Sequence, residues 1–288
     1  MAGHCEIEFD KEIYHPGEVL NGNVYVTFTS ECTVRDIKLT FIGRAKVFWK
    51  EGKTCVYRRE PYFDVESSLL TGEMKIEPGR YAYSFAFELP DSLPSTMDAT
   101  QGSVKYKVRV DVDREWTWDY NCEKAFTVFT CNSLSSMSAA PVECVSEKTP
   151  ISLGSEGPIE LTLCLPKACY APDQAIPCTA TVKNDSGATV NELRFRMVQG
   201  FSFHADGRVH ENVQGSSDEL TVKDSAVAPH TVKKCNFEFR VPADMFFGAL
   251  PNCNCIKAFW TLKGEACLSF PHTNLHIEMP LHLGSDGA

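Results

Sequence analysis

The chain has 288 residues, of which 43% are hydrophobic and 23% are charged, and its formal net charge is −10. These are values of a globular protein, and the length favours two domains of roughly 140 residues each. No stretch approaches the ~18 consecutive apolar residues of a membrane-spanning helix, and the acidic balance argues against a general nucleic-acid binder.

The N-terminal residues and the cysteines predict a cytosolic compartment. Charges at Glu6, Glu8 and Asp10 interrupt the region where a secretory signal needs continuous apolar residues. Thirteen cysteines, an odd number, are spread from Cys5 to Cys267 in a chain long enough to fold by hydrophobic burial. We therefore expect reduced thiols and no disulfide framework.

Strand patterns dominate the chain from its beginning. Val24–Phe28 and Ile37–Ile42 are short runs of β-branched and aromatic residues, and Tyr81–Phe87 places aromatic rings on one face at period two. Val104–Val112 alternates apolar residues with lysine, arginine and aspartate, as a half-buried antiparallel strand does. Almost no window repeats at the helical period, so the sequence predicts an all-β protein with antiparallel sheets.

A linker is predicted near the middle of the chain. Asn132–Pro141 is small and polar and lacks the large apolar side chains that a core requires. We predict a first domain at residues 1–132, a linker at 133–145, a second domain at 146–284 and a short tail at 285–288.

Three blocks recur in the same order in the two halves of the chain. Tyr14–Val19 recurs as Tyr170–Ala175, Asp36–Leu39 recurs as Glu192–Phe195, and Phe85–Pro90 recurs as Phe237–Pro242. The first two pairs are 156 residues apart and the third is 152 residues apart. A shared order with a nearly constant offset predicts a duplicated β-sandwich. In the first block, Pro16 and Gly17 predict a tight turn, which is a structural role.

Two basic runs are interpreted as solvated charges. Tyr57–Arg59 and Lys233–Lys234 lack the interleaved aromatic residues of a base-stacking surface. The sequence therefore predicts no nucleic-acid partner.

Two further patterns favour structural roles. Asn184–Ser186 is formally a glycosylation acceptor, but its sequence is also that of an ordinary turn, which we favour. The tryptophans are expected to pack against sandwich faces. They are Trp49, Trp116, Trp118 and Trp260.

No catalytic motif with convincing spacing is present, so the sequence predicts no enzyme and no cofactor. The nearest approach to a metal site is Cys253 with Cys255, which share one face of a strand but have no second close pair to complete four ligands. These cysteines are the candidate residues for a metal or for a thiol enzyme, and we predict neither. His272 and His276 have helical spacing within a strand pattern, which separates their side chains.

The repeated blocks also carry a family resemblance. Tyr14–Glu18, Ile37–Ala45, Gly79–Pro90 and Gly102–Val108 follow one another as in the α-arrestins, the arrestin-domain-containing branch of the arrestin superfamily. Asp113–Trp116 resembles the Asp-Arg-Pro-Trp motif of that branch, with a glutamate in place of proline. The closing Met279–Gly284 resembles the last strand of the second α-arrestin domain.

This resemblance implies two tandem, antiparallel, immunoglobulin-like β-sandwiches of seven or eight strands each, which act as a non-enzymatic cytosolic adaptor. Such an adaptor would bind membrane-protein cargo, together with ubiquitin-ligase or coat partners, for endocytosis, trafficking or ubiquitination. It would associate peripherally with the plasma membrane and endosomes. The alternative is a retromer-type endosomal sorting subunit, which is a related two-sandwich protein that binds a helical coat partner.

Several details bear on this implied function. Other arrestins sense receptor phosphates with paired lysines in the first strand, but here acidic residues flank Lys11 and oppose phosphate binding. The chain contains no Pro-Pro dipeptide, so a WW-domain ubiquitin ligase is expected only if a Pro-Pro-x-Tyr tail lies outside it.

The arrestin resemblance also suggests two residue roles. Arrestins keep a buried charge network between their domains, to which Asp111, Asp113 and Arg114 could contribute; an exposed strand-end pair is the alternative. One arrestin-domain relative pairs with thioredoxin through a cysteine of its second domain. We therefore keep open a redox partner acting through Cys235.

Overall fold

The computed structural model describes residues 3–115, 120–136, 140–150 and 157–285. Trp116, Trp118 and the Met137–Ala139 part of the predicted linker lie outside the described residues. Within the described part the chain forms strands and one short 3-10 turn at Leu134–Ser136, with no α-helix. Those residues accordingly include no helix with the length and apolar character needed to cross a bilayer.

Nineteen strands are described, in two consecutive groups. The first nine are β1 (His4–Phe9), β2 (Ile13–Tyr14), β3 (Val19–Phe28), β4 (Cys32–Glu51), β5 (Thr54–Ile76), β6 (Gly79–Glu88), β7 (Met97–Ala99), β8 (Gly102–Arg114) and β9 (Tyr120–Val128). The next ten are β10 (Val142–Lys148), β11 (Ile159–Leu165), β12 (Cys169–Tyr170), β13 (Ala175–Asn184), β14 (Val190–Ala205), β15 (Arg208–Ser216), β16 (Leu220–Thr221), β17 (Thr231–Arg240), β18 (Ile256–Leu268) and β19 (Leu275–Leu283).

Period-two alternation produces these strands and orients their faces. In β8, Val108 and Val110 are fully buried, while Lys105 and Arg109 are exposed on the other face. Such a strand buries apolar surface on one side only, which suits an antiparallel sheet that covers a core. The predicted all-β, antiparallel fold is confirmed.

The first sandwich packs two sheets against each other. One sheet has the order β1-β3-β6, and the other has the order β2-β9-β8-β4-β5, with β7 paired to β8. Aromatic rings fill the space between the sheets, since Phe41 of β4 stacks on Phe87 of β6 with ring centroids 4.3 Å apart. Burial of such side chains is the main force that holds the sheets together.

The second sandwich repeats this plan and adds a strand. Its sheets have the orders β10-β11-β13-β17 and β12-β19-β18-β14-β15, with β16 paired to β14. Phe195 of β14 stacks on Phe237 of β17 at 4.6 Å. Trp260 is 4% exposed in this core, and its indole N–H donates to the Phe246 carbonyl at 2.9 Å. This agrees with the packing predicted for that tryptophan.

The additional strand β10 begins inside the segment predicted as a linker. Val142 pairs with Leu165, and Cys144 pairs with Leu163, so the second sandwich starts before residue 146. The difference arises because Val142 and Cys144 alternate with glutamate as an amphipathic strand, directly after the small residues that suggested a linker.

Strand register confirms the internal repeat. Ile7 of β1 pairs with Val24 of β3, and the residues 156 positions later, Leu163 and Ala180, pair in the same way. The predicted turn at Gly17 is also present, because the Glu18 amide donates to the His15 carbonyl at 3.1 Å and φ of Gly17 is 78°. The repeat is therefore a duplication of pairing as well as of sequence.

The Asn184–Ser186 segment forms the predicted turn. The Asn184 side-chain oxygen accepts from the Ser186 amide at 3.1 Å and from the Ser186 hydroxyl at 2.7 Å. Asn184 is fully buried, which is the environment of a structural asparagine.

The chain divides into two compact units that are not contiguous in sequence. The first unit comprises Met1–Thr130 together with Phe203–His210 and Gly248–Lys257, and the second unit comprises the remaining residues. The two inserted segments were not distinguished in the sequence analysis, which treated each domain as one continuous stretch. Trp49, 6% exposed, stacks within the first unit on the ring of His210.

Candidate functional site

The three residues suggested for a charge network lie at the end of β8 but make separate contacts. Asp111 pairs at 2.8 Å with the arginine two positions earlier, and Asp113 pairs with Arg35 of β4 at 2.5 Å. The Arg114 guanidinium lies 3.6 Å from the centre of the Tyr120 ring. The two aspartate side chains are 35% and 45% exposed, which is the arrangement of exposed strand-end pairs. A role between the domains stays a prediction.

The Cys253 and Cys255 side chains do lie together. Their sulfur atoms are 4.0 Å apart, and the residues are 7% and 0% exposed, respectively. Both belong to the first unit, in the segment that leads into β18. Within the described residues, no group of three or more His, Cys, Asp or Glu side chains is arranged to hold a metal ion. Both residues are free cysteines.

Hydrogen bonding makes the two thiols unequal. A hydrogen bond with Cys255 lowers the pKa of Cys253 to about 7, against the burial that raises it. The Tyr62 hydroxyl lowers this pKa further, although it forms no hydrogen bond of normal geometry within the described residues. The same hydrogen bond raises the pKa of Cys255. Cys253 is therefore the member that ionises first.

The remaining candidates from the sequence are Cys235, His272 and His276. Burial raises the pKa of the Cys235 thiol. His276 is exposed on β19, and His272 lies in the preceding loop. These positions agree with the expectation that the histidine side chains do not align on a helix.

A cation-rich surface that the sequence analysis did not identify covers one face of the sheet that contains β8, β4 and β5. Arg44 of β4 pairs with Lys105 of β8, and Lys46 of β4 pairs with Arg59 of β5. Lys107 lies two residues beyond Lys105 and therefore on the same face. We call these five residues the cationic face.

The cationic face is only partly neutralised. Lys105 pairs with Asp98 at 2.8 Å, and Lys107 forms a short contact with Glu123. Arg59 has a more distant carboxylate, at 3.8 Å.

Arg44 and Lys46 form no salt bridge within the described residues. The pKa of Lys46 is lowered, first by burial and then by the surrounding cations, of which Arg44 and Arg59 act most strongly. Like charges directly opposite each other destabilise a sheet, so this arrangement costs folding free energy.

Two exposed aromatic rings border the cationic face. Phe48 and Tyr57 pair across the β4–β5 hairpin and are 50% and 51% exposed. They share the face of Lys46 because residues two apart on a strand point to the same side. The sequence signal was the period-two spacing of the basic residues, but their convergence follows from pairing between strands that lie far apart in sequence.

Two family models match this chain. The model described as arrestin (or S-antigen), N-terminal domain, matches residues 5–135, and the model described as arrestin (or S-antigen), C-terminal domain, matches residues 155–286. The chain is a member of the arrestin family.

The most similar relatives include arrestin domain-containing proteins. Arrestin domain-containing protein 1 of Homo sapiens is 25% identical over 277 residues, which are 95% of this chain and 62% of the relative. Arrestin domain-containing protein 17 of Caenorhabditis elegans is 25% identical over an alignment of 241 residues, which covers 76% of this chain and 56% of the relative. The chain thus spans about three fifths of the length of these relatives. The resemblance to the α-arrestin branch is confirmed.

Membership of the arrestin family implies an adaptor-type protein, which acts by binding other proteins. The cationic face combines exposed and half-buried basic side chains with two exposed aromatic rings at its border. Its charges can hold carboxylates, while its two border rings can cover apolar side chains.

Proposed function

We propose that this chain is a non-enzymatic cytosolic adaptor that binds membrane-protein cargo for endocytosis, trafficking or ubiquitination. We further propose that the cationic face holds acidic segments of the cargo. The observation that supports this most strongly is the direct pairing of Arg44 with Lys105 and of Lys46 with Arg59. An acidic ligand relieves the repulsion between the cations of these pairs. Because the free protein carries this unfavourable energy and the complex does not, the difference strengthens binding.

The charge of the whole chain sharpens this argument. With a net charge of −10, the chain as a whole repels acidic segments, so a local cation cluster would direct them to one face. Salt screens interactions between exposed charges, and binding should therefore weaken as the ionic strength rises.

Lys11, in the segment between β1 and β2, is a weaker alternative for anion binding. Lys11 is already paired with Glu18 at 3.1 Å, so its charge is partly compensated. Arg44 and Lys46 have no such partner in the described part of the chain. The cationic face is therefore the better candidate for an acidic segment.

An adaptor also needs a second partner. We propose a ubiquitin ligase of the WW-domain type if the full-length protein supplies a Pro-Pro-x-Tyr segment outside this chain. Peripheral association with the plasma membrane and endosomes would then follow from cargo binding.

The test uses the full-length protein and a matched pair of charge reversals. Arg44→Glu with Lys46→Glu reverses two charges of the cationic face, and Lys233→Glu with Lys234→Glu makes the same change in net charge on β17. Binding of a fluorescent, glutamate-rich peptide should weaken about tenfold or more in the first variant, because interface charge reversal replaces attraction by repulsion. The control variant should bind like the wild type.

Affinity purification of the same three proteins then identifies the class of partner. Membrane proteins with acidic cytosolic segments should be lost with the cationic-face variant and retained with the control. Equal peptide affinity for all three proteins would contradict the assignment of the face. Helical coat subunits, in place of WW-domain ligases, in the bound fraction would favour the retromer-type alternative.

A further inference from the structure

We infer that Cys253 and Cys255 form an oxidisable dithiol, which closes to an intramolecular disulfide when it reacts with hydrogen peroxide. The inference is independent of the proposed function because it rests on the geometry of the two side chains. Their sulfur atoms, 4.0 Å apart, must approach to the ~2.05 Å of a disulfide bond. Side-chain rotation with a small backbone shift can provide a movement of that size.

The backbone around the pair favours closure. Two residues apart on a fully extended strand, Cα atoms are separated by roughly 6.6 Å, near the upper limit for a disulfide. A turn precedes the pair: the Cys253 amide donates to the Leu250 carbonyl at 3.4 Å, and φ of Asn252 is 55°. A bend at Asn254 follows, so the two cysteines are not held at extended spacing.

Contacts from the first unit hold this bend in place. The Asn254 amide donates to the two Glu60 carboxylate oxygens at 3.0 and 3.2 Å, and the Asn254 side chain donates to one of them at 3.1 Å. The Cys255 carbonyl accepts from the His204 amide at 2.8 Å. Because the residue between the cysteines is fixed in this way, the two thiols face each other rather than solvent.

The two sulfurs have complementary roles in oxidation. The Cys253 thiolate attacks one peroxide oxygen, the O–O bond breaks, and hydroxide leaves and takes up a proton to form water. This step produces a sulfenic acid on Cys253. The Cys255 sulfur then attacks the Cys253 sulfur, its proton goes to the departing hydroxyl, and a second water forms. Two thiols are thereby oxidised by two electrons, and one peroxide is reduced to two waters.

The groups that face Cys253 favour its role as the attacking sulfur. Cys255 and the Tyr62 hydroxyl favour the thiolate, whereas burial and the Glu60 carboxylate oppose it. Tyr106, on β8, completes the surroundings and has its own pKa raised by burial and by Cys253. A thiolate, rather than a thiol, is the reactive form, so the rate of oxidation should rise with pH through about pH 7.

The sequence offers clean mass-spectrometric readouts. Trypsin releases Val241–Lys257, which contains Cys253 and Cys255 and no other cysteine. It also releases Ala168–Lys183, which contains two buried cysteines nine residues apart, at positions 169 and 178. Thr54–Arg58 carries the single exposed thiol of Cys55 as a reference for peroxide access.

The experiment treats the folded full chain with hydrogen peroxide at several pH values, followed by acid quenching and alkylation before and after reduction. Val241–Lys257 should lose both free thiols together and regain them on reduction. Ala168–Lys183 should keep both thiols.

Two variants distinguish reactivity from misfolding. Cys255→Ser should abolish the disulfide and leave a Cys253 sulfenic acid that a dimedone probe labels, while its melting curve reports whether it folds. Cys55→Ser should change neither result. The inference is overturned if Val241–Lys257 keeps both thiols under conditions that oxidise Cys55, or if Cys253 is oxidised further while Cys255 stays free.

Discussion

The two sandwiches contain the same chain reversal with different polar chemistry inside it. In the first, the buried Tyr14 hydroxyl donates to the Asp10 carboxylate in a short hydrogen bond. In the second, Tyr170 is equally buried, but Pro166 stands 156 positions after Asp10 and provides no carboxylate. Burial raises the pKa of the Tyr170 hydroxyl to about 12, and the Lys167 amide lowers it in part. The hydroxyl makes no hydrogen bond of normal geometry within the described residues.

A second pair of equivalent positions shows the reverse difference. Phe28 ends β3 and is 2% exposed, in contact with the rings of Tyr81 and Tyr120. Asn184 ends β13, 156 positions later, and its amide donates to the carbonyls of Ala188 and Ala228 at 2.8 and 3.1 Å. The comparison shows that duplication preserved the strand ladder and the burial, whereas each sandwich acquired its own polar partners.

The largest expected change in the free energy of unfolding comes from substitutions at Phe28 and Asn184. Asn184→Leu should lower the free energy of unfolding of the second unit by about 3 kcal/mol, because several buried polar groups lose their partner. Phe28→Leu keeps an apolar side chain and should cost the first unit only about 1 kcal/mol. Hydrogen exchange of β13 and β3, followed by mass spectrometry, measures each unit separately. Equal costs would show that the two positions depend on packing alone.

The tyrosines provide the next prediction. Tyr14→Phe removes the hydrogen bond to Asp10 and should destabilise the first unit by about 1.5 kcal/mol. Tyr170→Phe removes a buried hydroxyl that has no acceptor, so its effect on the second unit should lie within about 0.5 kcal/mol of zero. Hydrogen exchange of β2 and β12 measures the two changes in stability. A large loss from Tyr170→Phe would reveal an acceptor for that hydroxyl.

The turn residues give a smaller contrast. Gly17 has φ 78°, and a β-carbon there would lie 2.9 Å from the Asp91 carboxylate, so Gly17→Ala should cost about 1 kcal/mol. Asp173 already adopts φ 61° at the equivalent position, and Asp173→Gly should change stability by less than about 0.5 kcal/mol. Thermal unfolding of both variants measures the difference, and a destabilising Asp173→Gly would indicate that the aspartate side chain supports the turn.

The smallest expected difference between the two turns is in how much stability each loses in acid. Hydrogen bonds from Tyr14 and from the His15 amide lower the pKa values of the Asp10 and Glu18 carboxyls, respectively. A lowered pKa adds stability above the ordinary value near pH 4, and this stability is lost as pH falls through the folded-state value. In the second sandwich, the Gln174 side-chain oxygen accepts the equivalent hydrogen bond from the Ala171 amide at 2.9 Å, and this amide side chain does not titrate.

The check is urea unfolding between about pH 5 and pH 2.5. Glu18→Gln should flatten part of the acid-induced loss of stability, and Gln174→Ala should leave its pH dependence unchanged. If stability falls as steeply with acid in the Glu18→Gln variant as in the wild type, the effect belongs to other carboxyls.

Much of the fold follows from local sequence. Alternation in Val104–Val112 predicts β8, and the repeated blocks predict two copies of one pairing scheme. The grouping of Phe203–His210 and Gly248–Lys257 with the first unit could not be predicted, because these segments have ordinary strand and loop compositions. β10 was partly assigned to the linker because the small residues before it dominate the local composition.

The sites were less predictable than the fold. Cys253 and Cys255 were singled out as a pair, but Tyr62 lies some 190 positions earlier and joins them only through tertiary contact. The Arg44–Lys105 contact likewise depends on the register between two distant strands. Period-two spacing predicts which face a lysine occupies, but it contains no information about its neighbour across the sheet.

The matched registers of the two sandwiches have a consequence for folding of the newly made chain. Duplicated modules in one polypeptide are prone to exchange equivalent segments. If β3 took the place of β13, Phe28 would stand where Asn184 stands, and the Ala188 and Ala228 carbonyls would lose their donor. The swapped sandwich would therefore be less stable than the native one, so the difference at one buried position favours pairing of each sandwich with its own strands.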